Sequence, residues 1–263
     1  MGRELTAATP LVRIEELSHS FGRLRVLSKL SLQIDEGELV GVIGPNGAGK
    51  STLLSLISGS LVPTIGSVSL AGEDITRRPA HWRARHGVAL SHQVPRPFGG
   101  MSVLENVLVS ASLAGGRRGR AAADAAMTAL ERTHLAGRAN ESAGALRLLD
   151  LKRLEVARAL AADPRLLLLD EIAGGLTEAE LPEIIDLVRE VHAAGTTIVW
   201  IEHVVHALTA VATRLVCLTY GELIADGTPD EVLANPAVRS VYLGLDPEVE
   251  TPPDDDAREG LHA

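Results

Sequence analysis

Residues 39–59 read LVGVIGPNGAGKSTLLSLISG. An apolar run, Leu39 to Ile43, stops at Gly44. Pro45, Asn46, Gly47, Ala48, Gly49, Lys50, Ser51 and Thr52 follow, and then an apolar helical pattern. This is G-x-x-x-x-G-K-S in the context the motif requires: buried strand, glycine loop, helix N-terminus. Gly44, Gly47 and Gly49 let backbone amides turn inward around phosphate oxygens, where a Cβ would obstruct them. The helix opening near Lys50 adds its positive dipole end. Lys50 supplies a cation for the β- and γ-phosphates, and the Ser51 hydroxyl is a ligand for Mg²⁺. An ordinary glycine turn between strand and helix is the alternative, and correct flanks on both sides weigh against it. The stretch predicts binding of a nucleoside triphosphate.

The rest of the composition narrows the class. At 263 residues the chain has ample length for a core, and 46% hydrophobic with 22% charged residues suits a folded soluble protein. The only aromatics are Phe21, Phe98, Trp82, Trp200, Tyr220 and Tyr242, so the core must be built from Leu, Val, Ile and Ala. A single cysteine, Cys217, excludes an internal disulfide and suits a reducing compartment; it lies in the apolar run 215–218 and reads as core. No apolar run approaches the roughly 18–20 residues that span a bilayer. The start, MGRELTAATP, lacks the apolar segment of a signal peptide. A cytoplasmic protein that reaches a membrane only through a partner is expected. A net charge of −9 argues against nucleic acid as a partner.

Outward from the glycine loop, residues 11–21 and 26–34 alternate like paired strands, with a turn at Gly22 and Arg23. Residues 67–70 predict a short strand, 77–86 a helix capped by Gly87, and 88–93 a strand entering a Pro/Gly-rich loop at 94–100. Ser102 and Glu105 have capping-box spacing, which predicts a helix over 103–113. A basic turn with Arg117, Arg118 and Arg120, read as solvated, precedes a helix over 121–135. A loop at 136–144 leads to a helix over 151–161. Residues 166–169 form an apolar strand ending in Asp170 and Glu171. Helix 178–194, strand 196–201, helix 204–211, a hairpin across Tyr220 and Gly221 and helix 228–234 complete the pattern. Alternating strands and helices call for a mostly parallel sheet. The expected organisation is a flexible 1–10, a nucleotide-binding domain over 11–245 with a helical subdomain at about 94–160, and an acidic disordered tail over 246–263.

A glycine loop alone does not separate kinases, GTPases and transport ATPases. An apolar strand ending in an acid places that carboxylate beside the Mg²⁺ held by Ser51, which assigns Asp170 to the metal. Glu171 is then placed to act as general base on a water in line with the γ-phosphate. A simple strand exit is the plain alternative. Glu202, His203 and His206 invite a zinc reading, but their order differs from His-Glu-x-x-His and no third ligand is near in sequence.

From about Leu11 to Gly244 the chain resembles the nucleotide-binding subunit of an ABC transporter, with closest likeness to ATPases of branched-chain amino acid importers. Phe21, Gly22 and Val26 match the adenine-stacking loop. Gln93 matches the switch-loop glutamine that touches Mg²⁺ or water near the membrane subunit. The run from Met101 to Val107 matches the start of the helical subdomain, and Lys152 to Leu160 is similar to the helix after the family signature. His203 matches the switch histidine at the γ-phosphate. The ending from Gly227 through Asn235, Pro236 and Tyr242 to Gly244 is typical of the branched-chain branch. The resemblance implies a P-loop ABC ATPase fold with a mostly parallel core, an N-terminal antiparallel β layer and a helical subdomain. It also implies ATP and Mg²⁺, hydrolysis by Glu171 with His203, Gln93 and Lys50, transmembrane permeases, an extracytoplasmic solute-binding protein, and a place on the inner face of the plasma membrane.

The chain departs from that pattern where the signature should read Leu-Ser-Gly-Gly-Gln. The aligned residues are Leu146, Arg147, Leu148, Leu149 and Asp150. Leu149 removes a glycine and Asp150 adds negative charge near a phosphate, while Arg147 offers a cation; Asp150 also reads as the N-cap of a helix starting at Leu151. Ile172, Thr177 and Val204 are milder departures. A heterodimer with a second ABC ATPase is therefore expected. The competing readings are a regulatory subunit with impaired catalysis, an importer of urea or another amide, and a soluble ATPase acting on DNA or ribosomes.

Overall fold

The computed structural model describes residues 9–243. The expected tail at 246–263 and all but the last two residues of the expected flexible 1–10 lie outside the described residues. Strands β1 (Val12–Phe21) and β2 (Leu24–Ile34) pair antiparallel, and β4 (Ile65–Leu70) and β5 (Glu73–Asp74) extend the layer in the order β2-β1-β4-β5. The second sheet contains β3 (Leu39–Ile43), β6 (Val88–Ser91), β7 (Leu166–Asp170), β8 (Thr197–Ile201), β9 (Arg214–Thr219) and β10 (Glu222–Gly227), ordered β10-β9-β3-β8-β7-β6. Only the β9–β10 hairpin is antiparallel there; β9, β3, β8, β7 and β6 run parallel.

The parallel strands read as unbroken apolar runs because both of their faces are covered. Val40 and Val42 join the core shared with the antiparallel layer, whereas Leu39 and Ile43 join the core on the helical side. Leu166 and Leu168 divide from Leu167 and Leu169 in the same way, as do Val199 and Ile201 from Ile198 and Trp200. Period-two geometry thus turns each run into a partition between two cores.

The helices are α1 (Lys50–Ser58), α2 (Ala80–Arg85), α3 (Val103–Leu113), α4 (Gly119–Arg132), α5 (Leu148–Leu160), α6 (Leu181–Ala193), α7 (Val205–Thr209), α8 (Pro229–Ala234) and α9 (Pro236–Leu243). Between β6 and β7 the chain holds α3, α4 and α5 and two short 3₁₀ turns, at Ala136–Arg138 and Ala143–Ala145, where a plain loop was expected. Ser102 and Glu105 form the capping box at α3. Helix α2 starts three residues later than its pattern suggested, since the residue before Pro79 is pushed out of the helical region. Helix α6 also starts three residues late. Thr177 and Glu180 bond each other's side chain and backbone, which holds 177–180 as a turn. Arg117 is fastened rather than solvated, donating to Ala161 O at 3.2 Å and Asp163 at 3.1 Å.

One buried cation secures the end of the glycine-loop helix. Arg83 is 0% exposed, and its guanidinium donates to Leu56 O, Ile57 O, Thr76 O and Arg78 O at 2.7–3.0 Å. The first two are orphan carbonyls of the last turn of α1. Burial pulls the Arg83 pKa down to about 10. Arg83→Met strands four carbonyls and should cost about 3–5 kcal/mol, read from the urea midpoint at unchanged m-value, with Arg83→Lys recovering only part.

Candidate active site

Strand β3 ends at Ile43 and the chain turns through residues 44–49 into α1. The turn leaves no room for side chains at its ends. Gly44 has φ +149°, and a Cβ there would lie 2.1 Å from Leu218 O. Gly49 has φ +101°, and its Cβ would lie 2.7 Å from Leu27 Cδ2. Lys50 is 5% exposed, and its Nζ donates to Gly44 O at 2.7 Å and Pro45 O at 3.0 Å. Burial lowers its pKa, opposed by the charges of Glu171 and Asp170. Cys217 lies near Lys50, its thiol pushed by burial up to about 11, as a core residue should be.

A cavity of about 610 Å³ opens over this turn, walled by Leu24, Val26, Asn46, Gly47, Ala48, Gly49, Lys50, Ser51, Thr52, Gln93, Glu171 and His203. Gly44 and Pro45 stand beneath the wall and present carbonyls to Lys50 instead. Phe21 is 51% exposed at the end of β1, directly across from Leu24, with the His19 ring edge-on at 4.7 Å. The apolar wall at that end is made by Leu24 and Val26, so Leu24 was missed in the sequence. Its signal is the two-residue spacing from Val26 on one strand face.

Three adjacent parallel strands deliver the polar groups. Ser51 Oγ donates to Asp170 Oδ1 at 3.2 Å at the end of β7. Burial raises the Asp170 pKa, and the Ser51 hydrogen bond opposes that shift. Glu171, 9% exposed, accepts a hydrogen bond from Gln93 Nε2 on one carboxylate oxygen. Its other oxygen lies 2.5 Å from His203 Nε2. Gln93, Glu171 and His203 thus meet from the exits of β6, β7 and β8. Glu171 holds φ +49°, and its amide donates to Ile201 O at 2.9 Å.

The candidate zinc group is taken apart by the fold. His203 faces Glu171, whereas Glu202 is 1% exposed and turned into the core. Glu202 Oε1 accepts from Ala173 N at 2.6 Å and Trp200 Nε1 at 3.1 Å.

Residues 146–150 do not reach the cavity. Leu146 and Leu149 are buried in the helical-side core, whereas Arg147 and Leu148 face outward. The expected capping role of Asp150 is corrected: α5 starts at Leu148, Arg147 holds the N-cap position, and no side chain caps the helix. Asp150 sits in the first turn, paired with Arg138 and Arg153. Its charge is met within the chain.

A family model described as ABC transporter matches residues 27–174, and a second, described as branched-chain amino acid ATP-binding cassette transporter, matches residues 222–247. The chain is 35% identical over 250 residues to the high-affinity branched-chain amino acid transport ATP-binding protein BraF of Pseudomonas aeruginosa. It is 37% identical over 250 residues to LivG of Salmonella typhimurium, which bears the same description. Each alignment covers 89% of this chain and 98% of the relative. A solved ATP-binding cassette of an ABC transporter in its ADP conformation superposes with TM-score 0.81 at 28% identity, covering 90% of this chain and 99% of that one. The chain belongs to the ABC transporter family of ATP-binding cassettes, and its activity is that of an ATPase.

Burial raises the Glu202 pKa to about 7 from an ordinary 4.5, opposed by its hydrogen bonds. The folded state therefore holds this proton more tightly than the unfolded chain. The stabilisation is fully present below about pH 4.5 and is lost as pH rises through about 7. Glu202→Gln keeps both hydrogen bonds at Oε1 without the charge. Its unfolding free energy should gain on the wild type by an amount on the order of 3 kcal/mol between pH 4.5 and 8, measured by urea titration.

Proposed function

We propose that this chain binds Mg-ATP at the cavity over residues 44–52 and hydrolyses it with Glu171 as general base, energising import of branched-chain or related amino acids. The convergence of Gln93, Glu171 and His203 on the cavity that holds Lys50 and Ser51 is the observation that carries the reading. Lys50 would neutralise the β- and γ-phosphates once they displace it from the Gly44 and Pro45 carbonyls. Glu171 would take the proton of the attacking water, and His203 would hold that carboxylate and meet the γ-phosphate. Leu24 and Val26 would form the apolar wall for the base, with exposed Phe21 paired across from Leu24 as the candidate to stack on it.

The Mg²⁺ assignment fits the donors present. Ser51 and Asp170 already touch, and Gln93 stands beside Glu171. Few protein oxygens suit an octahedral ion that keeps waters and phosphate oxygens. Mg²⁺ would neutralise charge developing on the transferred phosphoryl group, with Ser51, Asp170 and Gln93 as its holders.

The match at residues 222–247 and the relatives' transport of branched-chain amino acids support the solute class; urea or another amide is the alternative. Among the described residues no helix is long and apolar enough to cross a membrane, so permease subunits would supply the path and hold the chain at the inner face of the plasma membrane. A cleft of about 250 Å³ lined by residues of α2, β6, α3 and α5 would be the seat for such a partner. Arg158 in its wall lies over the ring of exposed Phe98. An extracytoplasmic solute-binding protein would deliver the solute.

The altered residues 146–150 favour a heterodimer with a second ABC ATPase over a homodimer. With Asp150 neutralised, the case rests on Leu148, whose outward side chain hinders the close backbone approach that glycine allows. The purified chain should hydrolyse ATP slowly and accelerate with its cognate ATPase subunit. Glu171→Gln should lower kcat about 10²–10⁴-fold while ATP binding persists, measured by phosphate release and calorimetry. Vigorous hydrolysis by the chain alone, abolished by Glu171→Gln, would show that residues 146–150 are competent and would sink the heterodimer reading.

A further inference from the structure

Lys152 is 3% exposed and forms no part of the cavity wall. It stands in the second turn of α5 on the stripe that includes Leu149 and Val156, where an apolar residue is the ordinary choice. Its Nζ donates to two backbone carbonyls, Gln93 O at 2.6 Å and Glu171 O at 3.2 Å. Those residues leave the C-terminal ends of β6 and β7, neighbours in the sheet. One ammonium therefore ties a helix to the exits of two strands, at the two residues whose side chains bond each other over the cavity.

The Glu171 peptide needs such a tie. Its φ of +49° is unfavourable for a residue with a Cβ, so the backbone relaxes unless its surroundings hold it. The Glu171 carbonyl accepts from Gly174 N at 3.2 Å as well as from Lys152, and Glu202 accepts from the Ala173 amide two residues on. Of the other charges on α5, Glu155 and Arg158 pair and bond the Arg96 backbone in the loop after Gln93, and those near its start fix the helix itself. Asp150 pairs with Arg138 and Arg153, and Arg153 reaches Glu183 on α6 at 2.5 Å.

We propose that Lys152 is a positioning residue for hydrolysis. Its ammonium holds the Glu171 peptide in its left-handed conformation and the Gln93 backbone beside it, so that a shift of the first turn of α5 is passed to the general base. This rests on the reading of Glu171 as that base. The partner that shifts α5 is the second ATPase subunit, which would contact the outward-facing Arg147 and Leu148.

The test uses the full chain with its cognate ATPase subunit for hydrolysis, and the full chain alone for amide exchange. Lys152→Met keeps the stem and removes both hydrogen bonds. It should lower kcat at least tenfold with the ATP dissociation constant within twofold of wild type. It should also speed exchange at the Ala173 and Gly174 amides at least tenfold without changing exchange in α1. Lys152→Arg should restore most of kcat. Where Lys152→Met does not fold, Lys152→Gln, which keeps one neutral donor, is read in the same way. A kcat within twofold of wild type, or faster exchange spread evenly along the chain, overturns the assignment. Glu171→Gln run in parallel separates the two ideas. If it leaves hydrolysis intact, the general-base reading falls and takes this one with it. If it abolishes hydrolysis while Lys152→Met does not impair it, only the role of Lys152 falls.

Discussion

The peptide of Glu171 is held in a backbone conformation that costs about 1–2 kcal/mol for a residue with a Cβ, and the site is organised around keeping it there. The amide is taken by Ile201 O of the neighbouring strand, and the carbonyl by Lys152 and Gly174 N. Turning the backbone at this point is what aims the carboxylate back over the end of the sheet, between Gln93 and His203. A residue that continued β7 in extended form would point into one of the two cores, as Leu168 and Leu169 do. The tight apolar packing of the parallel strands supplies the rigidity against which the strain is set.

A common device runs through the buried charges. Lys50, Lys152 and Arg83 are each nearly or fully excluded from water, and each is satisfied by backbone carbonyls. Carbonyl dipoles at the ends of helices and strands carry partial negative charge and help to hold a desolvated cation, and nearby acids add to this at Lys50 and Lys152. The acids of the site are held by other groups, Asp170 by the Ser51 hydroxyl and Glu171, in the cavity wall, by Gln93 and His203. Glu202 is the counterpart: a carboxyl in the core that accepts from the Ala173 amide and the Trp200 indole and so pins the loop after Glu171.

Residues 146–150 show how local charge reads differently once folded. Asp150 looks hostile to phosphate in the linear chain, yet Arg138 from a 3₁₀ turn and Arg153 from the same helix absorb its charge. What remains unusual is steric: Leu149 is sunk in the core and Leu148 stands outward where close backbone approach calls for glycine. This segment contrasts with the glycine loop, where Lys50, Ser51, Gln93, Glu171 and His203 stand around one cavity.

The sequence alone determined the glycine loop, the strand-helix alternation, and the assignment of Asp170 and Glu171 to one strand end. Those features depend on short-range rules: glycine conformations, apolar periodicity, and an acid closing a buried strand. The capping box at Ser102 and the Tyr220–Gly221 hairpin were legible for the same reason. The starts of α2 and α6 were not, because Pro79 and the Thr177–Glu180 turn overrode helical patterns that looked continuous. Only the tertiary structure decided that Lys152 and Glu202 hold the backbone at Glu171 and Ala173, that Arg138 neutralises Asp150, and that Leu24 shares the apolar wall with Val26. Each joins residues from different elements, and the sheet order that brings them together is set by packing across the whole domain rather than by any local pattern.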